Sequence, residues 1–332
     1  MEIPYFGVVV VTYNRLEKLK NALMCYEEQS LRPGYVIVVN NASTDGTGEF
    51  LEEWQSKGQS PVDAGRAAGA DHGQTENIDA AGDETGNFRR IVINTGSNLG
   101  GSGGFAVGLR RAIEERARWV WIADDDAYPE RDCFEKVRKY ADARDDISAV
   151  CGEVLNPDGS IDVYHRRRFT RKALVVREER IPVEVYESGE PFDVDLYSFV
   201  GTAVRWQALR KVGANNPDYF IWYDDSEHSL RVRETGRIVC LPDVRVHHDT
   251  AAAPVKKGLS WKDYYGVRNE LDAYRKHLSW LDYLGLVAAD YLYLWLKVKD
   301  PVSRRIMRDG IRDGRCGKLG KNQKYLPGKK IS

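Results

Sequence analysis

The sequence predicts an α/β fold, a mostly parallel sheet flanked by helices, carrying a helical extension at its C-terminal end. Three observations predict it. Residues 6–11 and 35–39 are continuous β-branched runs, as strands covered on both faces require. Residues 15–28 between them have apolar side chains at helical spacing, which makes a βαβ start. After Leu259 the pattern is helical to the end, with aromatic residues throughout.

The remaining elements follow in order. Residues 90–93 and 119–123 supply two more strands, with a helix expected over about 104–116 between them. The first half therefore alternates as a parallel sheet does, and its carboxyl edge is the expected site. Residues 56–88 interrupt this with Gly, Ala, Asp and polar residues and almost no apolar periodicity, which reads as an exposed, mobile insertion. His72 within it has no partner at ligand spacing and reads as a solvated surface histidine. From 150 to 204 short strand-like pieces alternate with a basic stretch, Arg166, Arg167, Arg168, Arg171 and Lys172. The expected division is a catalytic domain over 1–258 and a helical, basic extension over 259–332. No internal repeat is evident.

A chain of 332 residues with 42% hydrophobic content can bury a sizeable core. Its formal net charge of −1 conceals an asymmetry, because twelve Lys and Arg stand against three Asp from Lys297 onward. Such a tail suits an anionic membrane face or a nucleic acid, and equally a solvated tail. The five cysteines are odd in number and lack metal-ligand spacing, so they read as reduced thiols of a cytoplasmic protein. No export signal is expected at the start of the chain. Residues 281–296 are apolar but interrupted by Asp282 and Asp290, and shorter than the roughly 20 residues a spanning helix needs.

Three consecutive aspartates, Asp124, Asp125 and Asp126, close the apolar run 119–123. Dense negative charge thus falls where a buried strand reaches the surface. Side chains alternate along a strand or extended turn, so Asp124 and Asp126 can share one hard divalent cation while Asp125 points elsewhere. Mg²⁺ or Mn²⁺ held this way keeps open positions that a diphosphate oxygen can fill. A solvated acidic turn explains the run alone equally well, as does Asp126 capping a helix opened by Pro129.

Two strand ends at the same edge carry short polar residues. The first reads Thr12, Tyr13, Asn14, Arg15, and the second Asn40, Asn41, Ala42, Ser43, Thr44, Asp45. Such groups can accept from the N3–H of a uracil or thymine and bind ribose hydroxyls, and Ser43 or Asp45 can also cap the next helix. In NTGSNLGGSGG, at 94–104, backbone N–H groups around Asn98, Gly100 and Gly101 can approach an anion or sugar closely. Gly101, Gly103 and Ala106 match a GxGxxA template, but a dinucleotide fold places that template at the first strand-helix turn.

Further on, Asp224, Asp225 and Glu227 follow the aromatic pair Trp222 and Tyr223 and open a helix. A carboxylate here can deprotonate an acceptor hydroxyl, although acidity at a helix N-terminus is also favourable in itself. His247 and His248 end a strand-like run beginning at 241. A neutral imidazole near Asp124 and Asp126 would complete a mixed carboxylate-histidine metal site.

In this order, VVVVTYNR, VVNNASTDGT, NTGSNLGGSGGF, WIADDD, FVGTAVRW, WYDDSEHSLR, HHD and YYGVRNE resemble the family 2 glycosyltransferases of the GT-A fold, over residues 5–275. NLGGSGGF joined to a triple aspartate looks most like the galactofuranosyltransferase branch, and YYGVRNE is shared with bacterial rhamnosyltransferases. The resemblance implies an inverting transfer from a nucleotide sugar with Mn²⁺ or Mg²⁺. It also implies roles: Asp124, Asp126 and His248 as metal ligands, with His247 the alternative to His248, and Asp225 as the base beside Asp224. The expected donor-binding set is Thr12, Tyr13, Asn14, Arg15, Asn40, Asn41, Ser43, Asp45, Asn98, Gly100, Gly101, Asp124, Asp125 and Gly201, with Phe199 and Thr202 near the donor sugar. Trp222, Tyr223 and Glu227 are expected on the acceptor. The family often has Asp where this chain has Asn40; an amide oxygen still accepts from a base N3–H, although base preference can change.

UDP-galactofuranose is the expected donor and dTDP-rhamnose the alternative. The expected acceptor is a glycan, lipid-linked or carried on a polyprenyl diphosphate, met at the inner membrane face. Leu281, Tyr283, Leu284, Leu286, Tyr291, Leu292, Leu294 and Trp295 suit an interfacial helix beside the basic tail. They equally suit packing on the catalytic domain or on a second subunit of a homo-oligomer. Arg268 can reach a diphosphate or pair with Glu270 or Asp272. A nucleic-acid-binding protein would give no reason for DDD, DDSE and HH together, so no nucleic-acid partner is expected. A nucleotidyltransferase would form a nucleotide sugar and release pyrophosphate.

Overall fold

A computed structural model of the chain describes residues 3–57, 88–172, 175–250 and 258–329. β1 (Phe6–Thr12), α1 (Leu16–Glu27) and β2 (Tyr35–Asn40) form the predicted βαβ unit. α2 (Thr47–Ser56) leads away from β2, and β3 (Arg89–Asn94) returns parallel to it. The expected insertion at 56–88, with His72, lies outside the described residues except at its two ends.

α3 (Gly100–Glu115) and β4 (Trp119–Asp124) complete the parallel half, with β4 beside β1. The helix starts within the glycine run, earlier than the spacing predicts. The reason is close packing: a Cβ on Gly104 would meet a Val11 methyl at 2.6 Å, so only glycine lets this turn lie on β1. Alternation sends Val8 and Val10 to Leu19 and Leu23 of α1, and Val9 and Val11 to Phe105 and Leu109 of α3. Both faces of β1 are therefore dry.

The second half folds back on this frame. β5 (Ala127–Pro129), α4 (Cys133–Ala141) and β6 (Ile147–Leu155) come next. Residues 127–129 are thus a strand, and no helix begins there for Asp126 to cap. β7 (Arg166–Lys172) and β8 (Val175–Arg180) pair in a second sheet, α5 (Val183–Glu187) follows, and β9 (Phe192–Asp193) precedes β10 (Leu196–Tyr197), which joins β7. β11 (Thr202–Arg205), α6 (Trp206–Val212), α7 (Asp224–Arg233) and β12 (Arg237–His248) lead to the C-terminal helices. Among the described residues the main sheet runs β3-β2-β1-β4-β11-β6-β12-β5, with β9 on β12. β11 is antiparallel to both neighbours, so the sheet is mixed beyond β4.

α8 (Trp261–His277), α9 (Trp280–Leu296) and α10 (Pro301–Arg315) form the C-terminal part. A capping box between Ser260 and Asp263 starts α8. Tyr264 on α8 donates to Asp313 of α10 at 2.8 Å. α9 packs through Leu286, Val287 and Leu294 but turns Trp280, Leu281, Leu284, Leu292 and Trp295 outward, with Trp280 and Trp295 about 70% exposed. No helix among the described residues is long and apolar enough to cross a membrane.

Candidate active site

A cleft of about 720 Å³ opens where the carboxyl ends of β1 and β4 meet the starts of α3 and α7. Asp124, Asp125 and His248 line one side of it, and Asp224 and Asp225 another. Residues far apart in sequence meet here because two strand pairings converge. β12 runs antiparallel to β5 with His248 opposite Ala127, which places the imidazole next to Asp126. His248 Nε2 lies 3.4 Å from Asp126 Oδ1. Alternation along β12 sends His247 the other way, to Glu130 at 3.2 Å.

Donor atoms of Asp124, Asp126 and His248 lie within 4.8 Å of one another. Asp125 points elsewhere: Thr12 Oγ1 donates to one of its oxygens at 2.7 Å and Arg15 to the other at 3.1 Å. Arg15 also donates to Asp126 Oδ2 at 2.6 Å. Burial, then the neighbouring Asp126 and Asp125, pushes the Asp124 carboxyl well above its ordinary pKa. Burial likewise lifts Asp125, to about 6. Burial also acts to raise Asp126, but His248 at 3.4 Å and the charge of Arg15 bring it below its ordinary value. Asp126 Oδ1 and His248 Nδ1 are buried without a hydrogen-bond partner. Crowded carboxylates, an orphaned oxygen and a histidine fit a divalent cation, which would supply the charge this cluster lacks.

The opposite wall is built under strain. Phe220, Trp222 and Tyr223 have φ of 66°, 66° and 65°, a left-handed conformation costly for aromatic residues. α8 holds them there. The Asn269 amide donates to the carbonyls of Tyr219, Ile221 and Trp222 at 3.0, 3.0 and 2.9 Å, and buried Arg268 donates to those of Asp218, Tyr219 and Gly320. Arg268 is therefore a clamp on the backbone, and neither a diphosphate ligand nor a partner of Glu270 or Asp272. The clamped loop delivers Asp225 to the cleft, where Ser226 N–H and Oγ donate to its Oδ1 at 2.6 and 3.1 Å. Asp224 is buried and bonded by Asn215 at 3.1 Å; burial and then Asp225 raise it to about 8.

The sequence profile described as Glycosyl transferase family 2 matches residues 7–62 and 70–213, more than half of the chain. The chain belongs to glycosyl transferase family 2. Among curated relatives, the galactofuranosyltransferase GlfT1 of Mycobacterium tuberculosis (strain ATCC 25618 / H37Rv) is 28% identical over 230 residues, 69% of this chain and 64% of that protein. The dTDP-rhamnosyl transferase RfbF of Shigella flexneri is 25% identical over 194 residues, 56% of this chain and 63% of that protein. The chain thus spans less than two thirds of these relatives. S. aureus TarS 1-349 in complex with UDP-GlcNAc superposes with a TM-score of 0.56 at 14% identity, covering 93% of this chain and 81% of that one. GalNAc-T7 with UDP, GalNAc and Mn²⁺ gives 0.57 at 13%, covering 94% and 56%. The fold is GT-A, as the motif order implies.

In this family 2 chain the cleft gathers Thr12, Tyr13, Arg15, Asn41, Asn98, Gly100 and Gly101 from the expected donor-binding set, besides Asp124 and Asp125. Other members of that set lie outside it. Asn40 is buried between β2 and β3, donating to Asn94 and accepting from Ser43 N–H, so its amide is used in the fold. Asn14, Ser43 and Asp45 tie the first two loops together: Ser43 Oγ accepts from Asn14 N–H, and Asp45 accepts from Leu16 and Thr47 N–H. Gly201 sits behind the cleft with φ +70°, and its carbonyl accepts from buried Arg166. Phe199 lines the cleft, whereas Thr202 is buried and donates to Ser198 O.

On the expected acceptor side, Trp222 is exposed at the rim and Tyr223 packs against Tyr274. Glu227 does not line the cleft: it is buried, with His277 at 3.3 Å and Arg231 at 2.9 Å, and despite burial these partners lower it to about 2. Tyr164 and His165, in the turn before β7, and Arg167 of β7 also line the cleft, and none of them was among the expected site residues. Arg167 donates to Ser226 Oγ at 2.7 Å and pairs with Glu178, beside Asp225. The basic stretch around 166 was the signal, but only the fold shows that it returns to this edge. Trp261, Lys262 and Pro327 of the C-terminal part close the cleft.

Proposed function

We propose that the chain is a metal-dependent inverting glycosyltransferase that moves galactofuranose from UDP-galactofuranose onto a lipid-linked or growing cell-surface glycan. One observation carries this reading: Asp124 and His248 of the Asp124/Asp126/His248 set line the same cleft as Asp225. Mn²⁺ or Mg²⁺, held by Asp124, Asp126 and His248, would supply charge to stabilise the leaving nucleoside diphosphate. Thr12, Tyr13, Arg15 and Asn41 hold the nucleotide on the β1 side. Asp225 takes the proton of the acceptor hydroxyl, with Ser226 fixing the orientation of its carboxylate. Asp224, whose carboxyl is pushed up to about 8 by burial and by Asp225, is the weaker candidate. Attack from the Asp225 side displaces the diphosphate in one step and inverts the anomeric centre. No covalent sugar on the protein is required.

The galactofuranosyl reading rests on GlfT1 as a relative matching 69% of the chain. The similarity to RfbF supports dTDP-rhamnose as the second reading. Incubation with Mn²⁺ and UDP-galactofuranose, UDP-galactopyranose or dTDP-rhamnose separates them, and release of pyrophosphate from any nucleotide substrate would favour a nucleotidyltransferase instead.

The acceptor side extends to residues 259–332. The outward row on α9, followed by Lys297, Lys299 and the basic α10, supports peripheral docking on an anionic membrane face. Co-sedimentation with vesicles containing anionic lipid should fall when Trp280, Leu284 and Trp295 are replaced by serine. Equal binding would remove this helix from the account.

A further inference from the structure

His248 belongs to a second donor set. Atoms of Asp162, His165 and His248 also lie within 4.8 Å of one another. Asp162 Oδ2 and His165 Nε2 are 3.2 Å apart, close to the edge of about 3.3 Å that bonds of about 2.0–2.1 Å span in a tetrahedral zinc site. Two of the three ligands are oriented from behind, as metal ligands are. Ser198 Oγ meets His165 Nδ1 at 2.7 Å, which turns Nε2 toward Asp162. Tyr164 N–H donates to Asp162 Oδ1 at 3.0 Å, leaving Oδ2 for the cluster. The His165 and His248 rings meet edge-on with centroids 5.1 Å apart. His248 is nine-tenths buried, and its Nδ1 has no hydrogen-bond partner.

The two sets differ in chemistry. Asp124 and Asp126 with one imidazole suit a hard ion; two imidazoles with one carboxylate suit a borderline ion such as Zn²⁺. We propose that Asp162, His165 and His248 form a second cation site, selective for Zn²⁺, coupled negatively to the Asp124/Asp126/His248 set because His248 is common to both. Two dications at one imidazole either compete for the ring or repel across it, so each weakens the other, and the weakening is reciprocal. The zinc site stands on its own geometry; only its effect on donor binding rests on the proposed function.

Zinc binding by the full chain, measured by competition with a chromophoric chelator, tests the site. The wild type should bind one Zn²⁺, Asp162→Asn should bind it at least tenfold more weakly, and Asp124→Asn should bind it as the wild type does. Co²⁺ in the wild type should give the intense visible bands of a tetrahedral site, a signature independent of how either variant folds. With zinc bound, the Mn²⁺ concentration needed for UDP binding should rise about tenfold, within the usual span of such coupling, and Asp162→Asn should lose that rise. Equal zinc affinity in wild type and Asp162→Asn, loss of zinc in Asp124→Asn alone, or the absence of tetrahedral bands would overturn the proposal. Absence of Mn²⁺-dependent UDP binding in the zinc-free wild type would defeat the functional reading and leave the zinc titration to decide the site.

Discussion

His248 Nε2 stands 3.4 Å from Asp126 Oδ1, and the backbone rather than the side chains sets that distance. Asp249 N–H donates to the Asp126 carbonyl at 2.8 Å, extending the β12 and β5 pairing past the strand end. The histidine that closes the carboxylate cluster is thus delivered by a strand ladder, while its neighbour His247 is turned to Glu130 by the same pleat.

Replacing the two histidines separately should therefore give different results. His248→Ala is expected to weaken metal-dependent UDP binding about 10- to 100-fold, as loss of a donor or its support does. His247→Ala should stay within about twofold of wild type on the same scale. Calorimetric titration of UDP with and without Mn²⁺ reads both, and equal losses would refute the assignment.

Asp225 and Asp124 should separate chemistry from binding. Asp225→Asn should retain Mn²⁺-dependent UDP binding and lose about 10²- to 10⁴-fold in turnover, the range of a positioned base. Asp124→Ala should lose the metal-dependent part of UDP binding. The reverse pattern would exchange their roles.

Gly100 links the glycine-rich start of α3 to the strained loop. Its φ is +76°, and a Cβ there would meet the Phe220 carbonyl oxygen at 2.1 Å. Gly100→Ala should lower stability by at least about 1–2 kcal/mol from the left-handed conformation alone. At Gly101 a Cβ meets nothing within 4 Å, so Gly101→Ala should be neutral or slightly stabilising. Thermal unfolding of the two variants side by side makes the comparison.

Glu270 of α8 predicts a pH dependence. Burial, then the charges of Glu178 and Asp290, lifts its carboxyl to about 8, with Tyr223 and Arg167 opposing. The folded chain keeps this proton up to about pH 8, whereas the unfolded chain releases it near its ordinary 4.5. The folded state binds more protons between those values, so this group's contribution to stability falls as pH rises through that window. Glu270→Gln removes the fall. Its stability relative to wild type should rise by up to about 4 kcal/mol from pH 5 to pH 8.5, roughly 6 °C in Tm. Parallel profiles would show that the carboxyl ionises freely.

The parallel half of the fold was legible because β1, β2 and β4 are buried on both faces and their apolar runs announce it. Asp124, Asp126 and Asp225 were legible because carboxylates at strand and helix ends are conspicuous. Asn40 and Asp45 do not line the cleft, because the loops they stand in use the same polar atoms for their own N–H groups. The glycines at 100–104 read as a loop, since only the approach of Val11 shows them to be the first turns of a helix. His165, Arg167 and the Arg268–Asn269 clamp were beyond reach for another reason: each acts on residues distant in sequence, and no local pattern records which strand or helix will pass nearby.

Single-displacement sugar transfer across this cleft is tested most directly by NMR of the product formed from UDP-galactofuranose, Mn²⁺ and a glycan acceptor. The expected product is a glycoside of anomeric configuration opposite to the donor, with UDP released in equal amount and no transfer after chelation of the metal. A product that retains the donor's configuration, or transfer undiminished by chelation, would contradict it.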